Sequence, residues 1–265
     1  MDAQAVAGEV LGALSEGRQI EPFSARLERF DTAAAYAVTA RLLELRLARG
    51  EQPVGRKIGF TNRGIWQEYG VYQPIWGHIY DSTVRVVAPG DACDTSHLPE
   101  PRIEPEIVLG VDADLEPGMT TADIAQAVGW VAHGFEIVQS IYPDWRFTAA
   151  DCIADNGLHG ALLIGPKRAI PSGDRAALAE RLAAVGLTLF RNGELIDKGV
   201  GANALDGPVE ALRHLVGAIA ENSPIRAGEM VTTGTLTRAF SVISGETWST
   251  EIEGFDLPGL SLTVR

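Results

Sequence analysis

A pair of glutamates two residues apart in an apolar stretch constrains this 265-residue chain more than any other feature. Glu104 and Glu106 flank Pro105, and the apolar residues 107–109 continue a pattern typical of a strand. Because side chains alternate between the two faces of a strand, both carboxylates point the same way. Two adjacent like charges repel, so a site usually tolerates the pair only if one carboxyl is protonated or a cation lies between them.

A third carboxylate favours the cation. Glu136 lies between Phe135 and Ile137 in another apolar stretch, and an unpaired charge in a protein core is very costly. Three carboxylates without a Cys or His at ligand spacing suit a hard divalent cation such as Mg²⁺ or Mn²⁺. Two structural alternatives stay open from the residues alone. The E-x-E can form a solvated strand face, or Arg102 can be the charge partner.

The net charge narrows the classes of function. A formal net charge of −13 argues against a nucleic-acid partner, because phosphate binding needs a basic surface. An anionic substrate would therefore need a metal or local cations at its site. The composition, 46% hydrophobic and 22% charged, is ordinary for a globular protein with a full core.

The cysteines and the N-terminal residues indicate in which compartment we expect the protein. Cys93 and Cys152 form no metal-binding motif, and two free thiols in a reducing compartment are the simplest interpretation. The first residues lack the basic region and apolar core of a signal peptide. No apolar run reaches membrane-spanning length. We expect a cytoplasmic enzyme with no membrane partner.

The secondary-structure signals change at about residue 53. Residues 5–14 and 31–49 have helical patterns, whereas the later segments are short and rich in Val, Ile, Thr and Gly, which is typical of a β-rich body. We expect an α+β fold with a helical N-terminal region over residues 1–52. One continuous catalytic body would follow over residues 53–265. Strands and helices do not alternate regularly, which disfavours a doubly wound sheet.

Individual elements of the body can also be predicted. The patterns predict strands at 56–60, 75–80, 83–87, 102–109, 131–138, 160–164, 230–233, 241–242 and 260–264, and helices at 121–129, 174–184 and 208–220. The segments 186–191 and 194–198 form a predicted hairpin, because Asn-Gly between them is a strong two-residue turn signal.

Polar residues of the first strands are candidates for the same site. Lys57 starts an apolar strand. Most lysines face solvent, but in a pocket with the glutamates Lys57 could hold a substrate carboxylate or move a proton. The aromatic segment 70–81 is either a packed loop or a pocket wall. Its polar groups are His78 and Asp81, and Asp81 also fits an ordinary turn residue.

Two turns add further candidates. Asp155 begins an Asp-Asn-Gly turn and can partner a metal or its water, while His159 after the turn is a candidate base. The hydroxyl-rich segment 232–237 can offer backbone N–H groups to a carboxylate. Both turns equally fit ordinary connections between elements.

Taken in order, six segments resemble the 2-keto-4-pentenoate hydratase and 4-oxalocrotonate decarboxylase branch of the fumarylacetoacetate hydrolase superfamily. The segments are KIGFT at 57–61, QPIWG at 73–77, RIEPEI at 102–107, FEIV at 135–138, ADN at 154–156 and TGT at 233–235. No single segment is specific, whereas their order and spacing are. The resemblance runs from about residue 41 to the C-terminus.

The resemblance implies a fold and a metal. The fold would be the family's mixed β-roll body with a smaller helical N-terminal region. The metal would be Mg²⁺ or Mn²⁺, held by Glu104, Glu106 and Glu136. The family's lysine matches Lys57, and the polar residue after the Q-P-x-x-G segment matches Asp81. Lys57, Asp81 and Glu104 would then be the catalytic residues.

The resemblance also implies a substrate side of the site. The Thr-Gly turn would meet the substrate carboxylate. Trp145, which follows Glu136 closely in sequence, is either a packed loop aromatic or a residue that packs on the apolar end of the substrate, and we favour the second. The expected substrate-binding residues are Thr233, Gly234, Thr235, Trp145 and Asp155.

The substrate class implied is a small unsaturated 2-oxo acid that binds through its C1 carboxylate and C2 oxygen, where a cation stabilises an enolate. We expect a hydratase of 2-hydroxypenta-2,4-dienoate type, active in aromatic-compound catabolism. A 2-oxo-3-hexenedioate decarboxylase is the nearest alternative. Its substrate has a second carboxylate, for which Arg63, Arg146 and Arg238 are candidate partners, although each is more typical of a surface arginine.

Two further alternatives remain. An acylpyruvate-type C–C hydrolase is disfavoured, because the His-Glu pair of that branch's N-terminal lid has no clear equivalent here. A non-catalytic partner subunit is disfavoured by the complete set of metal ligands. The family's habit implies a homo-oligomer, possible complexes with a pathway decarboxylase or hydratase, and a Leu-rich N-terminal helix suited to an interface.

Overall fold

The computed structural model describes residues 1–219 and 223–265. Its helices are α1 (Ala3–Glu16), α2 (Phe23–Arg26), α3 (Thr32–Ala48), α4 (Trp66–Tyr69), α5 (Thr121–Ala127), α6 (Ala149–Ala154), α7 (Leu178–Ala183) and α8 (Pro208–Ala218). Its strands are β1 (Pro53–Gly59), β2 (Ile75–Tyr80), β3 (Val84–Val86), β4 (Asp91–Cys93), β5 (Arg102–Val111), β6 (Val128–Val138), β7 (His159–Ile164), β8 (Arg168–Ala169), β9 (Gly186–Arg191), β10 (Glu194–Val200), β11 (Met230–Thr235), β12 (Phe240–Ser241), β13 (Thr247–Glu253) and β14 (Ser261–Val264).

The larger sheet is curled. Within the described ranges it has nine strands in the order β2-β1-β11-β5-β6-β7-β3, with β12 beside β5 and β8 beside β6. Strands β2 and β3 occupy opposite ends of this order, although only Asp81–Thr83 separates them along the chain. The sheet must therefore curl into a roll that brings its two ends together. A second sheet has the order β10-β9-β13-β14-β4.

The main hydrophobic core lies between the two sheets. Ile107 and Phe135 of the larger sheet belong to the same buried cluster as Leu189 and Trp248 of the smaller one, and helices α5, α7 and α8 contribute to it as well. A smaller cluster fills the inside of the roll. It consists of Ile79, Val108, Ala132, Leu162 and Ile164. The α+β fold with a β-roll body is confirmed.

The alternation along β5 separates the core from the site. Ile103, Ile107 and Leu109 are buried in the main core, so the residues at even positions, Glu104 and Glu106 among them, face the inside of the roll. The charged residues therefore share the interior of the roll with the small apolar cluster, at one end of it.

The N-terminal helices pack on the body. Asp31 caps α3 through the backbone N–H of Ala34, and Thr39 of α3 donates a hydrogen bond to the carbonyl of Ile153 in α6 at 2.9 Å. Residues of α1, α3 and α6 form one buried cluster, which includes Leu42. The division of the chain at residue 52 remains a prediction.

Most predicted elements are present, and the hairpin β9–β10 forms around the Asn-Gly turn. The prediction of a helix over 174–184 is wrong in its first half: Ser172–Ala177 is a 3₁₀ helix, and α7 follows it. The predicted end of α8 at residue 220 lies outside the described residues. Strands β4, β8 and β13 and helices α2, α4 and α6 were not predicted, because they are short or have polar outward faces. Among the described residues, no helix is long and apolar enough to cross a membrane.

Candidate metal centre and adjoining pocket

Strands β5 and β6 bring the three glutamates together. In their antiparallel register Glu104 is opposite Glu136, and Glu106 is opposite Gly134. One carboxylate oxygen from each glutamate lies within 4.8 Å of the others. Glu106 and Glu136 are fully buried, while Glu104 is partly exposed. The two carboxylates of β5 therefore lie on one face of the strand, as the sequence pattern predicted, and Glu136 lies beside them.

The burial and mutual repulsion of the three carboxylates favour a bound cation. Burial, together with the charge of Glu136, raises the pKa of Glu104 to about 7 despite the opposing effect of Lys57. Burial and the two other carboxylates raise the pKa of Glu106 well above its ordinary value. Glu106 Oε1 and Glu136 Oε2 are buried without a hydrogen-bond partner among the described residues. Three converging carboxylates with free oxygens fit a hard divalent cation.

Lys57 is the charge partner that the fold supplies. Its side chain is 3% exposed. Its Nζ lies 3.4 Å from Glu136 Oε2 and donates a hydrogen bond to the carbonyl oxygen of Gly157 at 2.8 Å. Burial lowers the pKa of Lys57, but the three glutamates outweigh burial and raise it overall. Lys57 is therefore a buried ammonium beside the carboxylates, as the sequence-based hypothesis required.

Two further contacts orient the carboxylates. His159 Nδ1 lies 2.7 Å from Glu136 Oε1, and its Nε2 lies 2.9 Å from Thr83 Oγ1. The backbone N–H of Gly234 donates to Glu106 Oε2 at 2.8 Å. Although burial opposes ionisation of Glu136, Lys57 and His159 lower its pKa overall. His159 is thus a neighbour of Glu136, and it does not line the pocket described below.

The Thr-Gly turn at the end of β11 has a different contact from the one expected. Gly234 has φ +96°, and a Cβ there would lie 1.7 Å from Thr61 Oγ1, so only glycine fits. Its N–H binds Glu106 rather than pointing to a free site. Thr233 Oγ1 donates to the carbonyl of Ile107 at 2.9 Å inside the protein. Of this turn, Gly234 and Thr235 line the pocket.

A pocket adjoins the carboxylate triad. Lys57 and Glu104 line it, whereas Glu106 and Glu136 lie behind its lining. Trp145 forms part of the wall, with the guanidinium of Arg102 3.9 Å from its ring centroid. Arg238 also lines the pocket. The lining therefore combines charged side chains with the aromatic surface of Trp145.

Two predicted site residues lie elsewhere. Asp81 is exposed, and its carboxylate accepts hydrogen bonds from the backbone N–H groups of Gln52 and Ser82, so the structure gives it the turn role. Asp155 is fully buried, and Gln139 and Ile141 donate to it. Burial raises the pKa of Asp155 well above its ordinary value. Neither residue lines the pocket.

The remaining candidates are His78 and the three arginines. His78 is buried between Trp76 and Tyr80, and burial together with Arg56 lowers its pKa to about 3. Two of the three candidate arginines lie outside the pocket. Arg63 is paired with Asp206 at the surface, and Arg146 is exposed.

Arg102 and Gly157 are among the contributors to the pocket that the sequence analysis missed. Arg102 was considered only as a charge partner for the glutamates, although its even position already put it on their face of β5. Gly157 contributes a backbone carbonyl, which leaves no signal in a sequence beyond the turn-forming residue type.

Comparisons with known proteins identify relatives of this chain. No protein-family model matches the chain. The chain is 30% identical over 253 residues to a 2-hydroxyhexa-2,4-dienoate hydratase of Comamonas testosteroni, covering 95% of this chain and 94% of that protein. It is 33% identical over 247 residues to a 2-keto-4-pentenoate hydratase of Paraburkholderia xenovorans strain LB400, covering 91% and 88%.

Solved structures of other proteins also resemble this chain. The 4-oxalocrotonate decarboxylase from Pseudomonas putida G7, complexed with magnesium and adipate, matches with a TM-score of 0.90 and 27% identity over 99% of this chain and 97% of that chain. A fumarylpyruvate hydrolase from Pseudomonas aeruginosa, in complex with Mn²⁺ and pyruvate, matches with a TM-score of 0.59 and 17% identity over 79% and 88%, which shows the shared fold.

The chain falls in one class of enzymes, the lyases that have this β-roll fold, as its fold, its carboxylate triad and its relatives indicate. The chain belongs to the 2-keto-4-pentenoate hydratase and 4-oxalocrotonate decarboxylase branch of the fumarylacetoacetate hydrolase superfamily.

Proposed function

We propose that the protein is an Mg²⁺-dependent hydratase of 2-hydroxypenta-2,4-dienoate (2-keto-4-pentenoate) type, for which Mn²⁺ is the alternative metal. The observation that carries the proposal is the triad of converging carboxylates with a buried lysine, beside a pocket that Lys57 and Glu104 line. The hydratase relatives support the reaction class. The solved neighbours that contain magnesium, calcium or Mn²⁺ support a divalent cation.

In this proposal Glu104, Glu106 and Glu136 hold the cation, and Lys57 acts beside it. When bound, the cation supplies a Lewis acid that stabilises negative charge on a substrate oxygen. The ammonium of Lys57 has three N–H groups. One donates to the Gly157 carbonyl, and the ammonium also forms an ion pair with Glu136. An N–H group not used in these contacts would serve a substrate oxygen or deliver a proton to the substrate.

The wall of the pocket suits a short unsaturated chain. Ile58 and Val138 line it together with Trp145. These side chains would contact the carbons beyond C2. A hydratase adds one water molecule to the far double bond, so a pocket whose lining combines charged and apolar side chains fits that task.

A decarboxylase of 2-oxo-3-hexenedioate (4-oxalocrotonate) is the second candidate, and one observation favours it. Arg102 and Arg238 both line the pocket, so two cationic side chains belong to the surface that a second substrate carboxylate would meet. The neighbour complexed with adipate, a dicarboxylate, matches nearly the whole chain. The carboxylate triad serves either reaction, because both develop negative charge on the same substrate oxygen.

Separate incubation with the two substrates distinguishes these functions. With Mg²⁺ and 2-hydroxypenta-2,4-dienoate, we expect loss of the dienol absorbance and formation of the hydrated 2-oxo acid. With 2-oxo-3-hexenedioate we expect no CO₂. Release of CO₂ at a rate comparable with hydration would overturn the hydratase assignment and support the decarboxylase.

Three parts of the proposal rest on the sequence and on the family resemblance. They are a role in aromatic-compound catabolism, a cytoplasmic location, and a homo-oligomer that forms complexes with a pathway decarboxylase or hydratase. The complete carboxylate triad argues against a non-catalytic partner subunit. Turnover of an acylpyruvate would instead support the C–C hydrolase alternative.

A further inference from the structure

The turn that follows α6 holds Lys57 in an unusual way. The Gly157 carbonyl accepts a hydrogen bond from Lys57 Nζ at 2.8 Å. Asn156, Gly157 and Leu158 have φ angles of 51°, 69° and 66°. Three consecutive left-handed residues, two of them not glycine, are rare, because the Cβ of an L-residue is crowded there. Surrounding contacts must therefore hold this conformation.

The side chain of Asn156 supplies such contacts. It accepts a hydrogen bond from the backbone N–H of His78 at 2.9 Å and donates one to the His78 carbonyl at 2.8 Å. His78 lies on β2, the end strand of the roll, and the amide of Asn156 pairs with it as a neighbouring strand would. The side chain therefore fastens the turn to β2.

The backbone packing leaves the turn little freedom. A Cβ at Gly77, beside His78, would lie 2.3 Å from the carbonyl oxygen of Asn156, and one at Gly157 would lie 2.8 Å from Lys57 Cδ. The turn is therefore in close contact with β2 on one side and with the Lys57 side chain on the other. A small movement of the turn would move the carbonyl that orients the ammonium.

We propose that Asn156 is a positioning residue that sets the direction of the Lys57 ammonium through the Gly157 carbonyl. It does not touch the pocket itself. The inference rests on the proposed function, in which Lys57 acts on the substrate. Loss of the Asn156 amide lets the turn relax away from β2, and a displacement of about 1 Å at a reacting group can cost about 10²-fold in rate.

The test is a double-mutant cycle between Asn156→Gly and Lys57→Met. Glycine tolerates the φ of position 156, so Asn156→Gly removes the amide without adding strain. We expect kcat to fall about 10- to 100-fold, with KM and the Mg²⁺ dissociation constant within about twofold of wild type. Lys57→Met should lower kcat about 10²- to 10⁴-fold. The double variant should equal Lys57→Met, because the amide has no ammonium left to position.

Asn192→Gly is the matched control. Asn192 also has positive φ, at 54°, and its side chain also bonds to the backbone of a neighbouring strand, accepting from the Thr247 N–H at 2.9 Å. It lies in the β9–β10 turn and does not line the pocket. This variant should leave kcat within about twofold of wild type.

The outcomes separate the inference from the proposed function. If Lys57→Met keeps the wild-type kcat, the role given to Lys57 in the proposed function fails. If Lys57→Met loses activity but Asn156→Gly does not, the positioning role is overturned. Independent, multiplicative losses in the double variant would overturn it as well. If Asn156→Gly does not fold by circular dichroism, the same cycle with Asn156→Asp decides, because aspartate keeps the acceptor for the His78 N–H.

Discussion

Glu106 is fully buried, and its position follows from the alternation of β5. Burial and two neighbouring carboxylates oppose its ionisation, and one of its oxygens has no hydrogen-bond partner among the described residues. The triad and Lys57 could be predicted because charged residues in apolar strands need partners. The sequence could not show that Asp81 lies outside the site, since a turn residue at the end of β2 and a pocket residue there have the same local pattern.

The raised pKa values of the triad predict a pH-dependent metal affinity. A cation binds ionised carboxylates, and in the metal-free protein the pKa of Glu104 is about 7 and that of Glu106 is raised well above its ordinary value. The affinity for Mg²⁺ should therefore strengthen as the pH rises from 6 to 8. Calorimetric titrations at pH 6, 7 and 8 measure it, and equal affinities across this range would contradict the prediction.

The same groups predict how stability depends on pH. A carboxyl group whose pKa is raised in the folded state stabilises the fold below its unfolded pKa. For Glu104 that contribution is lost as the pH rises through about 7. The metal-free protein should therefore lose stability as the pH rises from 6 to 8. Mg²⁺ should raise Tm more at pH 8 than at pH 6. A Tm increase that is larger at pH 6 would contradict this account.

At the scale of elements, the irregularity at the end of β11 shapes the site. The register of β11 with β5 shifts between Thr232 and Thr235, where Gly234 turns its N–H toward Glu106. Pro105 of β5 accepts from the N–H of Leu236 beyond this point. Its missing N–H therefore falls where the ladder is already broken, which is how a proline fits inside a sheet. The strand was predictable from its apolar pattern, whereas the shift occurs at Gly234, and the close approach of Gly234 to Thr61, which is distant in sequence, leaves no local signal.

Substitution of Gly234 tests the role of this irregularity. In Gly234→Ala the new Cβ would lie 1.7 Å from Thr61 Oγ1, and the positive φ adds strain. We expect a loss of unfolding free energy of about 3 kcal/mol or more and a weaker affinity for Mg²⁺, because Glu106 loses an oriented donor. Urea unfolding and calorimetric titration measure the two effects.

Gly193→Ala is the control for backbone strain alone. Gly193 has φ +83° and nothing within 4 Å of the added Cβ, so we expect a loss of about 1 kcal/mol and an unchanged metal affinity. If the two variants lose equal stability, the contact with Thr61 does not matter and the explanation for Gly234 is wrong.

At the scale of the whole molecule, closure of the roll brings distant segments to one site. Lys57 on β1, the glutamates on β5 and β6, and the turn at 156–158 converge because the ends of the sheet meet. The order of the strands could not be predicted from the sequence, since pairing between strands far apart along the chain leaves no local pattern. The resemblance to a family supplied the β-roll that local propensity could not.

The shared N-terminal cluster predicts cooperative unfolding of the N-terminal helices with the body. Leu42 of α3 is fully buried in the cluster that includes α6. Leu42→Ala should lower the unfolding free energy by about 2–5 kcal/mol in one transition seen by both fluorescence and circular dichroism. Leu47→Ala is the matched control because Leu47 is 42% exposed, and it should change stability by less than about 0.5 kcal/mol. Two separate transitions would contradict cooperative unfolding.

Calorimetric titration of the wild type, Glu106→Gln and Glu194→Gln with Mg²⁺ at pH 8 tests the metal centre most directly. Glu194 is exposed on β10 and lies outside the triad, so its variant controls for loss of a negative charge. The account predicts one saturable site in the wild type and in Glu194→Gln, and no measurable binding to Glu106→Gln. Unchanged binding to Glu106→Gln, or no binding to the wild type, would contradict the carboxylate triad as the metal site.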